Sequence, residues 1–186
     1  MIRFAIYVVS ASILLSSGFL LFFVFIRRDY LKNGRLTPLS TTLESILFFL
    51  LGASAYIFVP EDWPAVHTPV INVSIGWLLI VGGLGITIVA ISQLGLSRSF
   101  GINANMLKQT SFYRLTRNPQ VLGFVIAVIG FVILWPSWYA VGWAAQFLIL
   151  AHVAVVTEEE HLRNRYGNEY SAYCKRVPRY IWLRRR

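Results

Sequence analysis

From residue 119 to residue 157 the chain carries no Asp, Glu, Lys or Arg. A run of that length without charge cannot face water, and it is too long for a single membrane crossing. A helix rises about 1.5 Å per residue, so about 20 apolar residues cross a hydrocarbon core about 30 Å thick. The run is broken once, at Trp135-Pro136-Ser137-Trp138. Proline does not continue a helix undisturbed, and tryptophan favours the membrane interface. A helical hairpin is therefore expected, going out over 119–134 and returning over 138–156.

Three further apolar stretches precede it. The first, 4–26, is uncharged for 23 residues and ends in Arg27-Arg28. It exceeds the usual signal-peptide core of about 7–15 residues, so it reads as a membrane span. The second, 43–59, is short and ends at Pro60. The third, 70–92, contains Gly76, Gly82, Gly83 and Gly85, small residues that let helices approach closely in lipid. Charged residues are 13% of the chain, against about 25% in an ordinary soluble domain. The expected fold is an all-α integral membrane protein with five transmembrane helices. It forms one membrane domain over 1–186, with three N-terminal spans in 1–92 and a core with a cytoplasmic C-terminal helix in 93–186.

The net charge is +9, yet apart from Arg3 the positive residues are grouped between and after the apolar runs. Arg27, Arg28, Lys32 and Arg35 form one group; Arg98, Lys108, Arg114 and Arg117 form another; eight more follow residue 160. Nucleic-acid binding would instead set Lys and Arg along one face. This pattern fits cytoplasmic loops under the positive-inside rule. The 60–69 stretch has Glu61 and Asp62 but no Lys or Arg, and 135–138 has no charge. The N-terminus is thus expected outside and the C-terminus in the cytoplasm, in the inner membrane if the source is bacterial. Cys174 is the only cysteine, and His67, His152 and His161 lack metal-ligand spacing, so no disulfide or metal site is expected.

A hairpin with arms of similar length brings its two ends together. Arg114, Arg117, Asn118 and Pro119 then converge on Glu158, Glu159, Glu160 and His161. Topology-setting arginines and a solvated acidic first turn would explain these residues as well as a site would. Beyond them, Leu162, Tyr166, Tyr170 and Tyr173 recur at helical spacing, interrupted by Gly167. This segment serves equally as an interfacial anchor or as a cover over the hairpin mouth. His152, a polar residue inside the returning arm, reads as an interhelical hydrogen bond or a functional group.

Arg117-Asn118-Pro119 with Gly123, the hairpin, and the ordered set Glu158, Glu159, Leu162, Tyr166, Gly167, Glu169, Tyr170, Tyr173, Val177, Pro178 and Arg179 form one pattern. Over about residues 95–180 it resembles the isoprenylcysteine carboxyl methyltransferase and phospholipid methyltransferase superfamily. The resemblance implies S-adenosyl-L-methionine as methyl donor, bound at the cytoplasmic face between hairpin and C-terminal segment. It assigns cofactor contacts to Asn105, Met106, Leu107, Lys108, Tyr113, Asn118, Pro119, Gln120, Val121 and Glu158. It implies a lipophilic small-molecule acceptor drawn from among membrane lipids: a prenylcysteine-like carboxylate, a phospholipid amine or another small amphiphile.

Three positions depart from that pattern: Asn118 replaces a histidine, Val121 a tyrosine, and Ala154 the arginine that holds a carboxylate substrate. Losing the arginine turns the expectation toward an amine headgroup or another lipophilic acceptor. An amine acceptor needs a base, for which Glu159 and His161 are candidates. Arg117 or Lys108 would hold the cofactor carboxylate. The terminal Tyr170, Tyr173, Val177 and Pro178 also resemble NADPH-dependent membrane reductases of the sterol type, which stay open as an alternative. A small membrane protein without enzymatic activity is the third reading.

Overall fold

The computed structural model describes residues 2–58, 70–94 and 111–180. Every regular element among them is helical. They are α1 (Ile2–Asn33), with π-helical turns over Leu21–Ile26, then α2 (Pro38–Phe58) and α3 (Val70–Leu94). A short 3-10 turn, Ser111–Arg114, precedes α4 (Pro119–Leu134) and α5 (Trp138–Arg176).

The ends of these helices follow from local chemistry. Gly34, at φ 63°, ends α1 in the left-handed conformation, and its N–H reaches the Tyr30 carbonyl at 3.1 Å. Pro119 opens α4, where a missing N–H costs nothing. Ser137 caps α5 by accepting from the Ala140 N–H at 3.1 Å. The expected hairpin turn is thus built from a proline that stops one helix and a serine that starts the next.

Among the described residues, four helices are long and apolar enough to cross a membrane: α1, α2, α3 and α5. At 16 residues, α4 rises about 24 Å, less than a full hydrocarbon core. Phe49, Leu78, Val81 and Trp138 are among the many large apolar side chains pointing outward, a surface that only lipid accommodates. The protein is an integral membrane protein.

Two features differ from expectation. The returning arm and the C-terminal helix are one continuous helix, broken at Gly167 (φ 48°, ψ −115°) rather than between Val156 and Glu158. No proline or glycine stands at that junction, so nothing in the chain stops the helix there. After Gly167 the chain folds back, and Tyr170, Tyr173 and Val177 bury themselves against Leu162, Tyr166 and Cys174. In addition, α2 begins at Pro38 and so carries Glu44 in its second turn.

Packing divides the helices into two groups joined by the hairpin. In one, α3 and α4 touch backbone to backbone. A Cβ on Gly130 would lie 2.6 Å from the Gly76 carbonyl, and one on Gly83 would lie 2.6 Å from the Ala127 N–H nitrogen. Thr87 Oγ1 donates to the Gln120 carbonyl at 3.1 Å and fixes the register. In the other group, α5 holds α2 through Trp143 Nε1–H to the Leu51 carbonyl at 2.7 Å. It holds α1 through Gln146 Nε2–H to the Ala11 carbonyl at 3.3 Å.

The close α3–α4 approach predicts a sharp contrast between glycines. Gly83→Leu or Gly130→Leu should lower Tm and yield, because backbone atoms cannot yield as side chains do; overpacking typically costs about 1–3 kcal/mol. Gly85→Leu, with no neighbour within 4 Å among the described residues, should leave Tm near wild type. Thermal unfolding of the three variants in detergent checks this.

Candidate functional site

Between the two helix groups lies a cavity of about 610 Å³. All five helices line it. Phe22, Phe48, Phe124, Phe131, Trp143 and Phe147 make its walls aromatic. Gln120 and Val121, in the first turn of α4, lie on its lining with Ala154 and Glu158 of α5. Among the described lining residues the charged ones are Glu44 and Glu158, both acidic.

The acidic stretch of α5 is distributed by helical phase. Successive residues turn about 100° apart, so neighbours in sequence meet different partners. Glu158 faces the cavity. Glu159, 5% exposed, points the other way and is gripped by Arg117 Nη1 at 2.8 Å and Arg179 Nη2 at 2.7 Å. Glu160 pairs with Arg27 of α1 at 2.7 Å on the surface. His161 stacks flat on Tyr30, with ring centroids 4.2 Å apart. It lines a smaller recess of about 260 Å³ with Arg27, Glu160, Asn164 and Arg165.

The loop before α4 is stitched to the end of the chain. Arg117 N–H reaches the Pro178 carbonyl at 2.9 Å. Thr116 Oγ1 at 3.0 Å and Asn118 Nδ2 at 3.1 Å both donate to the Arg179 carbonyl. Tyr173 Oη donates to the Tyr113 carbonyl at 2.7 Å. With the Glu159 ion pairs, these bonds hold the C-terminal segment over the hairpin mouth. Arg117 also donates to Cys174 Sγ at 2.9 Å. His152, on the exposed side of α5, meets Tyr180 Oη at 3.0 Å.

The expected site residues therefore separate. Gln120, Val121 and Glu158 line the cavity, with Asn118 and Pro119 buried at its edge. Tyr113 is buried beside them, and its hydroxyl finds no hydrogen-bond partner among the described residues. Arg117 and Glu159 belong to the clamp, and His161 to the opposite face. Asn105, Met106, Leu107 and Lys108 lie outside the described residues.

Electrostatics single out Glu158, which lies beyond the apolar part of α5. Burial, reinforced by the charge of Glu159, pushes its carboxyl up to about 7. Burial and then the Glu158 charge push the Tyr113 phenol up as well. Burial and then Arg165 hold His161 below its usual value. Glu44 escaped the reading of the sequence, although a lone carboxylate within an otherwise apolar helix is the available signal.

A family model described as phospholipid methyltransferase matches residues 71–169, more than half of the chain. The chain belongs to the phospholipid methyltransferase family. Membership makes it a membrane methyltransferase acting on a lipid-like substrate. The match runs from α3 through the hairpin and past Gly167, so it contains Gln120, Val121, Ala154 and Glu158 but neither α1 nor α2. No curated protein and no solved structure shows a comparable match.

Two outcomes follow from the charges. Glu159→Gln leaves two guanidiniums facing each other, and loss of one partner of a buried pair costs about 3–5 kcal/mol. Its Tm should fall well below wild type, whereas Glu160→Gln, whose pair is exposed, should unfold near wild type. Glu158 titrates in the opposite sense to a salt-bridged acid. A carboxyl raised above its ordinary 4.5 contributes stability that is complete below that value and is lost as pH rises through about 7. The Tm of Glu158→Gln relative to wild type should therefore rise between about pH 5 and about pH 8. A flat difference would remove Glu158 from the unfavourable environment described for it.

Proposed function

We propose that this protein transfers a methyl group from S-adenosyl-L-methionine to the amine headgroup of a phospholipid at the cytoplasmic membrane face. The observation that carries this reading is the cavity itself. Its walls are apolar enough for acyl chain. Its described lining holds no Lys or Arg, and its polar end is a carboxylate. Ala154 lies on that lining, where an arginine would be needed to hold a carboxylate acceptor. An ammonium headgroup finds a complementary charge there, whereas a carboxylate headgroup meets repulsion.

The residues present also fit the methyl donor. Its ammonium and sulfonium are cationic, and Glu158 is an acid with no counter-charge among the described residues. The buried, unsatisfied Tyr113 hydroxyl supplies a hydrogen-bonding group beside it. Glu158, Gln120 and Tyr113 would hold the donor. Asn118 commits its Nδ2 to Arg179, which leaves Oδ1 to accept. Asn105, Met106, Leu107 and Lys108 complete the donor site in this proposal.

When bound, the donor supplies a methyl group already activated by its sulfonium. The protein must then align the amine, exclude water and remove one proton. The aromatic walls exclude water. Glu158, with a carboxyl at about 7, suits proton acceptance near neutral pH. Glu159 is less suited, because two guanidiniums occupy its oxygens. His161 is stacked outside the cavity lining. The five-span arrangement, with the N-terminus outside and the basic loops in the cytoplasm, would put this end of the cavity in reach of the cytosolic donor.

Thermal unfolding of the detergent-purified protein tests the donor. S-Adenosylhomocysteine at 100 times its Kd should stabilise the fold by about 2.7 kcal/mol, and Glu158→Ala should abolish the shift. NADPH should give none. Transfer of labelled methyl from donor to phosphatidylethanolamine in micelles tests the acceptor. A shift with NADPH alone overturns the proposal in favour of the reductase reading.

A further inference from the structure

The family match begins at residue 71, yet the cavity takes a charged residue from outside it. That residue is Glu44. It shares one face of α2 with Phe48 and Gly52, at spacings of four, and all three line the cavity. Across from them stand Phe147, Ala154 and Glu158 of α5. Among the described residues no side chain donates a hydrogen bond to either carboxylate, and no Lys or Arg lines the space.

This combination is costly for a protein with nothing to put there. A carboxylate withdrawn from water without a partner is strongly disfavoured, and two in one apolar hollow repel each other. Structural acids elsewhere in this chain are treated differently: Glu159 has two arginines, Glu160 has Arg27, and Asp29 accepts from Thr37. A cation between Glu44 and Glu158 would relieve both. The rings of Phe48, one turn from Glu44, and Phe124, one turn from Gln120, also line the cavity and suit an alkylated ammonium in particular, since aromatic rings attract such cations.

We infer that Glu44 is a specificity-determining residue that, with Glu158 opposite, forms a two-carboxylate receptor for the cationic headgroup of the lipid acceptor. The inference rests on the proposed methyl transfer to a lipid amine and adds a residue that the family segment does not contain. Glu158 serves donor and base as well, so it cannot isolate headgroup recognition. Glu44 stands on a different helix and can.

The test is a steady-state assay in micelles containing phosphatidylethanolamine, comparing wild type, Glu44→Gln and Glu44→Asp. Glu44→Gln should raise KM for the lipid about tenfold, the loss of one charge-assisted contact, while KM for the methyl donor stays within about twofold. Glu44→Asp, which keeps the charge, should recover most of that loss. Phosphatidylcholine, a zwitterion whose quaternary ammonium cannot accept a further methyl group, gives an independent readout as competitor. Its inhibition should weaken about tenfold in Glu44→Gln, while phosphatidylglycerol competes equally with both proteins. The S-adenosylhomocysteine thermal shift verifies that each variant is folded.

An unchanged lipid KM in Glu44→Gln, or a rise confined to the donor KM, overturns the role of Glu44 and leaves the methyltransferase proposal standing. Failure of the folded wild type to methylate any lipid amine overturns the parent proposal and this one with it.

Discussion

Glu159 is held by Arg117 from the hairpin mouth and by Arg179 from the chain's last described turn, all three within ion-pair distance. Removing a carboxylate from water is expensive, and two guanidiniums offset that cost at this position. The consequence reaches beyond the pair. Neighbouring side chains on a helix are locked about 100° apart, so pinning Glu159 against Arg117 and Arg179 also fixes the direction of Glu158, toward the cavity. The same clamp draws Arg179 onto the loop before α4, where its carbonyl accepts from both Thr116 and Asn118. A single buried charge cluster thus sets the cover, the mouth of the hairpin and the direction of the cavity-lining carboxylate, Glu158.

The cavity has a separate origin, in the way the helices divide. Glycines draw α3 and α4 so close that little side-chain volume lies between them. That pair cannot then fill the space toward α1, α2 and α5. The remaining helices are held to one another by Trp143 and Gln146, each bonding a backbone carbonyl. Tight packing within each group leaves a hollow between them, bordered by rings rather than closed by interlocking aliphatics. A membrane protein gains little from burying apolar surface against lipid, so such a hollow costs less here than in water. It is a site that the packing pattern can sustain.

Much of this was readable in the chain. Uncharged runs marked the apolar helices, Pro136 with its tryptophans marked the hairpin, and the spacing of Asn118 and Glu158 brought the polar clusters together. Gly167 was visible as a break. What escaped depended on helical phase and on distant partners. Nothing in Glu158-Glu159-Glu160-His161 says which residue faces a cavity, a clamp, a surface arginine or a ring, because that depends on where α1, α4 and the C-terminal segment lie. The uninterrupted continuation of α5 was also hidden, since an acidic tetrad reads as the start of a helix as readily as its middle. Glu44 was missed for a simpler reason. One carboxylate in the first turns of an apolar helix resembles an edge residue until the opposite wall is known.

The chemistry favoured at this end of the molecule follows from the charges of its described lining residues. A site for carboxylate methylation needs a fixed cation to hold the acceptor and must leave that acceptor negative while it attacks. Among the described lining residues there is no Lys or Arg for that role, and the acids Glu44 and Glu158 would oppose the approach of another negative group. Amine methylation needs the reverse: attraction for an ammonium, then a nearby carboxylate able to take its proton. A carboxyl at about 7 meets the second need better than an ordinary glutamate, whose conjugate acid is too strong to form readily at neutral pH. Burial that would be a liability in a structural acid would therefore suit Glu158 to the base role proposed for it, and the charge of Glu159 beside it pushes in the same direction.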